Sequence, residues 1–451
     1  MSINRTLLLF LSALCLTATA TAAQPAQAPL SDKPATTAEI REIPLDKVRE
    51  IYDHEPPQIL SHYTAENPAS LHPTLRWDKV LGAVAYEIEI DVPNAAPIHD
   101  AHIFVAGYNA ALPANTPKGD VTWRVRALNF DNQPITAYSP AETMYVDPAV
   151  QTPLYPEPLS HFNTGNGTAL LYPVYNWVPV HNAATYDVEI LTDANVRPDE
   201  PAADSQVMGR GVSHWFDWYD DSPRISTQLL YWRVRALDKN GQPLGVFCPP
   251  QPMSINPDKP YTVGTLGDSI SHGGGDLSYS PSDWEYSYQY YLDFDTINLS
   301  DSGDTSQMTL DRFDRDVLPF HLRYLIIMTG SNSLRGWTSA DEVISNLASI
   351  EEKCRENGIQ PVFLTLPPLN PENIKRAFNE PTAENWRERF QKVNEWIRRQ
   401  PHIDLATKIP EDHDLPYELG IDGIHLNSRG KQLMAEAINE QWASITGQAQ
   451  P

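Results

Sequence analysis

The chain has 451 residues, and 58 acidic against 33 basic side chains give it a formal net charge of −25. A protein this acidic is repelled by phosphate backbones and anionic headgroups, which speaks against nucleic acid and membrane surfaces as partners. The length exceeds what one core organises, so two or three domains are expected, and 40 Pro favour turns and β-rich modules over long helices.

At the amino terminus, Arg5 precedes an apolar run from Leu7 to Leu16, and Ala20-Thr21-Ala22 offers small residues for cleavage. This pattern predicts a secretory signal peptide over residues 1–23, too short to span a bilayer, and an exported protein, periplasmic or secreted. Leu14 stands before Cys15 where a lipid-anchoring signal needs a small residue, and no later stretch reads as a membrane span. Residues 24–60, rich in Pro, Ala and Thr, read as a linker. Cleavage leaves Cys248 and Cys354. The latter continues the helical stripe Val343, Leu347, Ile350, so two unpaired thiols are expected, although a disulfide between them stays open.

An internal repeat organises the middle of the chain. Trp77, Val80, Ala83 and Tyr86 lead into Glu87-Ile88-Glu89-Ile90, and Trp177, Val180, Ala183 and Tyr186 lead into Asp187-Val188-Glu189-Ile190 one hundred residues later. Each copy carries a second run, Trp123-Arg124-Val125-Arg126-Ala127-Leu128 and Trp232-Arg233-Val234-Arg235-Ala236-Leu237, followed by a polar turn with Gln-Pro. Alternation with period two predicts strands with one face wet, and short strands with recurring Trp predict two β-sandwiches, at 61–148 and 149–258. The pattern resembles fibronectin type III-like modules, which implies either spacers with the Trp residues in their cores or carbohydrate-binding units. His99 and His102 lack a third ligand in the sequence. With no zinc spacing, dinucleotide fingerprint or P-loop elsewhere, no metal or cofactor is expected.

From about Lys259 the pattern changes, and residues 259–449 read as a third domain. Tyr261–Leu266, Thr296–Leu299, Leu322–Met328 and Pro361–Leu366 are short apolar runs separated by helical stretches. One of these, Ser339 to Asn357, opens on a Ser339/Glu342 capping box and stops at Gly358. Strands alternating with helices predict a parallel, doubly wound sheet with ligands at the carboxyl ends of its strands.

Four motifs fall at those ends. Gly267-Asp268-Ser269-Ile270 puts a Ser on a tight turn at a helix start. Asn298 to Thr305 includes Gly303, whose backbone N–H can approach a substrate closely. Thr329-Gly330-Ser331-Asn332 brings a side-chain amide, and Asp422-Gly423-Ile424-His425 brings a general base with a carboxylate three residues earlier. In this order the set resembles the SGNH/GDSL hydrolases, over residues 260–447. The resemblance implies an α/β/α serine esterase with Ser269 as nucleophile, His425 as base and Asp422 as its orienting acid. It also implies an oxyanion hole made by the N–H groups of Ser269 and Gly303 and the Asn332 amide. Ser333 departs from the family, many of whose members have Asp there. An α/β-hydrolase elbow fits worse, because Ser271 stands where it needs Gly.

Arg335 and Trp337, just past Asn332, and His272, just past Ser269, are candidates for binding substrate. Trp284, Tyr286, Tyr288, Tyr290 and Tyr291 are expected mostly to pack within the domain. Export, the tandem modules and the polar, acidic chain favour an acetylated polysaccharide as substrate. A lipolytic esterase or thioesterase, or a non-catalytic surface-binding protein, are the alternatives. Hydrolysis of small esters is expected to survive removal of the sandwiches. The oligomeric state is left open.

Overall fold

In the computed structural model, residues 54–129, 132–273 and 284–447 are described. The expected signal peptide, nearly all of the 24–60 linker, and Gly274 and Gly275 lie outside the described residues.

The first repeat folds into strands β1 (Thr74–Arg76), β2 (Ala85–Asp91), β3 (Ile98–Ile103), β4 (Gly107–Asn109), β5 (Gly119–Leu128) and β6 (Glu142–Val146). They form a four-stranded sheet in the order β3-β2-β5-β6 and a β1-β4 pair, all antiparallel. The second repeat gives β7 (Glu157–Pro158), β8 (Val174–Val178), β9 (Thr185–Leu191), β10 (Val207–Ser213), β11 (Asp217–Tyr219), β12 (Leu230–Leu237) and β13 (Gln251–Met253). Its antiparallel sheets run β10-β9-β12-β13 and β11-β8-β7. Trp77, Trp123, Trp177 and Trp232 are all buried in the two cores. In each copy a Tyr hydroxyl, of Tyr86 or Tyr186, accepts the N–H of the Val six residues earlier and locks the entry turn.

The face expected to be wet is covered in part, over Glu87 with Arg126 and Glu189 with Arg233, while Glu89, Arg124 and Asp187 stay partly exposed. Glu87 and Glu89 lie in register with Arg126 and Arg124 on the neighbouring strand, and both guanidiniums lie over the Tyr138 ring, Arg126 at 4.4 Å and Arg124 at 4.2 Å. Asp187 and Glu189 face Arg235 and Arg233 in the same way, with Phe247 as the lid, 4.5 Å from Arg235 and 3.9 Å from Arg233. Glu87 and Glu189 are each 2% exposed, so the period-two charges form a roofed ladder of ion pairs.

The carboxyl-terminal sheet contains β14 (Val263–Gly267), β15 (Ile297–Asn298), β16 (Tyr324–Met328), β17 (Gln360–Leu364) and β18 (His402–Ile403), all parallel, in the order β15-β14-β16-β17-β18. The first four match the expected apolar runs, whereas β18 is too short to stand out in the sequence. The helices are α1 (Ser269–His272), α2 (Ser306–Asp311), α3 (Phe313–Asp316), α4 (Ser331–Arg335), α5 (Ala340–Glu356), α6 (Pro371–Phe378), α7 (Trp386–Ile397) and α8 (Ser428–Thr446). The Ser339 hydroxyl caps α5, accepting from the Glu342 N–H at 3.2 Å, as the capping box predicted. The chain order reverses beside β14, which has β15 on one side and β16 on the other. That opens a crevice at the carboxyl ends of β14 and β16.

The units are fused. Residues 169–171 run beside β15, with the Leu171 N–H on Asn298 O at 2.9 Å and the Asn298 N–H on Ala169 O at 2.8 Å, and so cover the open edge of the parallel sheet. Leu171, Tyr172, Val174, Tyr219 and Ile255 belong to the same apolar core as β14 and β16. The first sandwich reaches the same domain through the Tyr286 hydroxyl, which donates to Ala83 O at 2.8 Å. The two sandwiches are joined where Asn109, paired with Thr74 in the β1-β4 register, accepts the His181 N–H at 3.2 Å. Cys248 and Cys354 are both free and buried.

Candidate active site

Ser269 stands at the end of β14 as the first residue of α1, with Asp268 as the cap accepting from the Ile270 N–H at 3.0 Å. Its hydroxyl is 2.7 Å from His425 Nε2, and His425 Nδ1 is 2.6 Å from Asp422 Oδ2. The other Asp422 oxygen accepts the N–H groups of Ile424 and His425, at 2.9 and 2.8 Å. Burial alone would raise the Asp422 carboxyl, but the facing imidazole and these hydrogen bonds outweigh it and hold it below the ordinary carboxylate range. Gly423 makes this turn possible. Its φ is +89°, and a Cβ there would stand 2.4 Å from Asn370 O. Its carbonyl accepts the Asn370 N–H at 2.8 Å, which latches the turn to the loop ahead of α6.

Gly303, in the loop after β15, is exposed with φ at +87°. Asn332, on α4 after β16, donates one amide N–H to Asp304 O at 3.0 Å and accepts from Arg335 Nε at 3.2 Å. The Arg335 guanidinium is held in turn by Glu380 at 2.9 Å. Arg335 therefore orients the Asn332 amide, leaving that amide's second N–H for a ligand. Ser333 accepts the Ser306 N–H at 2.9 Å and so ties α4 to the start of α2.

The three residues expected to touch substrate separate. Trp337 is 57% exposed on the loop after α4. Arg335 is half-buried beside Asn332. His272 is 1% exposed, which corrects the expectation that it lines the cleft: its ring is enclosed between Tyr172 O, 2.7 Å from Nε2, and Ser302 Oγ, 3.3 Å from Nδ1. Of the neighbouring aromatics, Tyr286 and Tyr288 are buried and Tyr290 is exposed.

Two buried charges beneath the site escaped the sequence reading. Arg312, on the turn between α2 and α3, bonds Asp304 at 2.6 Å, Gly267 O at 2.9 Å and Asp316 at 3.1 Å, as well as Leu299 O. It thereby joins the ends of β14 and β15 to the loop that carries Gly303. Burial pushes the Asp304 carboxyl up to about 7 against the pull of this guanidinium. Lys431, on the inner face of α8, donates to the Ile270 carbonyl. Burial drives its ammonium down to about 7 and the Asp268 carboxyl up to about 6. A Lys standing in the apolar stripe Met434, Ala435, Ile438 was the available signal for it. Among the described residues no cluster of three or more His, Cys, Asp or Glu is placed to hold a metal ion.

Residues 265–433 match the model of the GDSL-like Lipase/Acylhydrolase family. This part of the chain is a lipase/acylhydrolase domain of the GDSL type, an ester-hydrolysing class. Among solved structures, a GDSL-like lipase from Bacteroides thetaiotaomicron VPI-5482 is 20% identical, with 41% of this chain and 88% of that one covered and a TM-score of 0.31. A lipase/acylhydrolase from Enterococcus faecalis is 18% identical, with 42% and 98% covered and a TM-score of 0.32. No curated protein matches the chain.

Proposed function

We propose that the protein is an exported serine esterase that acts through an acyl-Ser269 intermediate and removes O-acetyl groups from a polysaccharide. The observation that carries the catalytic reading is the unbroken relay from Ser269 Oγ through His425 to Asp422, at 2.7 and 2.6 Å. His425 Nε2 takes the hydroxyl proton as Oγ attacks the ester carbonyl, and Asp422 holds the Nδ1–H and stabilises the imidazolium. The N–H groups of Ser269 and Gly303 and the second Asn332 amide N–H receive the negative oxygen of the tetrahedral intermediate. Collapse expels the alcohol, which takes the proton from His425. A water activated by the same base then releases the acid and restores Ser269.

The polysaccharide reading draws on the exposed Trp337 indole on the loop that follows the Asn332 helix, a flat face for a sugar ring, and on the signal-like amino terminus. The net charge of −25 favours a neutral glycan over an anionic one. The repeated units, read as fibronectin type III-like modules, belong to this exported architecture. The test is acetate release from a panel of acetylated polysaccharides, run beside short- and long-chain aryl esters with Ser269→Ala as control. Acetate from a polymer, lost in the variant, is expected. Turnover of long acyl esters alone would replace the glycan reading with a lipolytic one, and absence of any Ser269-dependent turnover would leave a binding protein.

A further inference from the structure

The loop bearing Gly303 is held at one end by the parallel sheet and at the other by Arg312, between α2 and α3. The Asp301 N–H bonds Gly267 O at 3.0 Å, and Arg312 grips Asp304. Between those anchors, Ser302 is tied to Tyr219 of the second sandwich and to His272. Tyr219, at the end of β11, places its hydroxyl between two loop groups, accepting the Ser302 N–H at 3.0 Å and donating to the Asp301 carboxylate. Its ring packs on His272, with centroids 5.1 Å apart. A carbonyl can only accept, so the contact with Tyr172 O makes His272 Nε2 the protonated nitrogen and leaves Nδ1 to accept from Ser302 Oγ. Tyr219 is 8% exposed, and burial beside Asp301 pushes its phenol far above the ordinary value, so the hydroxyl stays a neutral donor.

We propose that Tyr219 is a positioning residue for the oxyanion hole, so that the second sandwich is a working part of the esterase site. The proposal rests on the esterase reading above. The Tyr219 hydroxyl fixes the Asp301–Ser302 peptide, one peptide ahead of the one that carries the Gly303 N–H, and through it sets the direction in which that N–H points. That donor contributes only when the carbonyl oxygen becomes an oxyanion, so losing its aim slows turnover without weakening ground-state binding.

Tyr219→Phe in the full chain removes the hydroxyl and keeps the ring. Hydrolysis of p-nitrophenyl acetate is expected to show kcat lower by roughly 10- to 100-fold with KM changed less than about twofold. Asp301→Ala removes the hydroxyl's acceptor from the loop side and is expected to give the same split, so the inference remains testable if Tyr219→Phe does not fold. Wild-type kcat in either folded variant would overturn the proposal, as would a fall in kcat/KM carried by KM alone. Wild-type protein without Ser269-dependent turnover would instead overturn the esterase reading.

Discussion

At the residue scale, Lys431 is the group most out of place, a buried amine in contact with the turn that presents Ser269. Unfolded, it holds its proton up to the ordinary value of 10.5, whereas burial makes the folded side chain release it near 7. Between those values the unfolded chain binds the extra proton, so stability rises with pH, by up to ~1.4 kcal/mol per unit. Urea unfolding from pH 7 to pH 9 is expected to show this rise in the wild type and a flatter dependence in Lys431→Met. Identical slopes would remove Lys431 as its source. The motif residues were legible because each brings its context along the chain: Ser269 its Gly-Asp turn, His425 the Asp422 three residues before it. Tyr219 and Arg312 were not. Tyr219 meets its partner 82 residues away, and an Arg among charged neighbours reads as solvated surface until the fold encloses it. His272 misled for the converse reason, since closeness to Ser269 in sequence says nothing of which way a ring turns.

At the scale of elements, the repeat's alternation correctly specified strands but not what covers them. Tyr138 and Phe247 lie 12 and 12 residues past Arg126 and Arg235, beyond the polar turn, and they convert a wet face into a roofed one. An ion pair under such a lid is costly to break on one side only. Arg126→Met removes the guanidinium from Glu87 and leaves it the hydrogen bond with His99 Nε2, 2.5 Å away. The variant is expected to lose ~2–4 kcal/mol in urea unfolding, and adding Glu87→Gln should recover much of that. A loss under about 0.5 kcal/mol for Arg126→Met would mean the ladder behaves as an exposed surface pair. In the catalytic domain the helix caps and apolar runs were legible, since α5 and four strands carry strong local signals. The two-residue β18 exists through its neighbours rather than its own sequence.

For the whole molecule, the sequence suggested three units and said nothing of how far they depend on one another. A boundary near 259 follows the change of pattern, yet the core beneath β14 includes Leu171, Tyr172 and Tyr219, which a chain starting there would lack. The same cut uncovers the outer edge of β15. Residues 259–451 alone are therefore expected to be poorly soluble and slow on p-nitrophenyl acetate. A chain starting at 149, which keeps the second sandwich, should retain most of the turnover. Full solubility and wild-type kcat in the shorter piece would restore the separable arrangement that the sequence suggested.

The joint between units recurs. Asn109 faces Thr74 in the first copy and Tyr219 faces Val174 in the second, one hundred residues on, so the two occupy the same place in the repeat. Each accepts a backbone N–H from the unit that follows, His181 in one case and Ser302 in the other. The repeat therefore carries a coupling as well as a pair of sheets, a spliced beam rather than beads on a thread. The first sandwich is thus fastened to the second, and the second to the loop that carries Gly303, each through one backbone N–H.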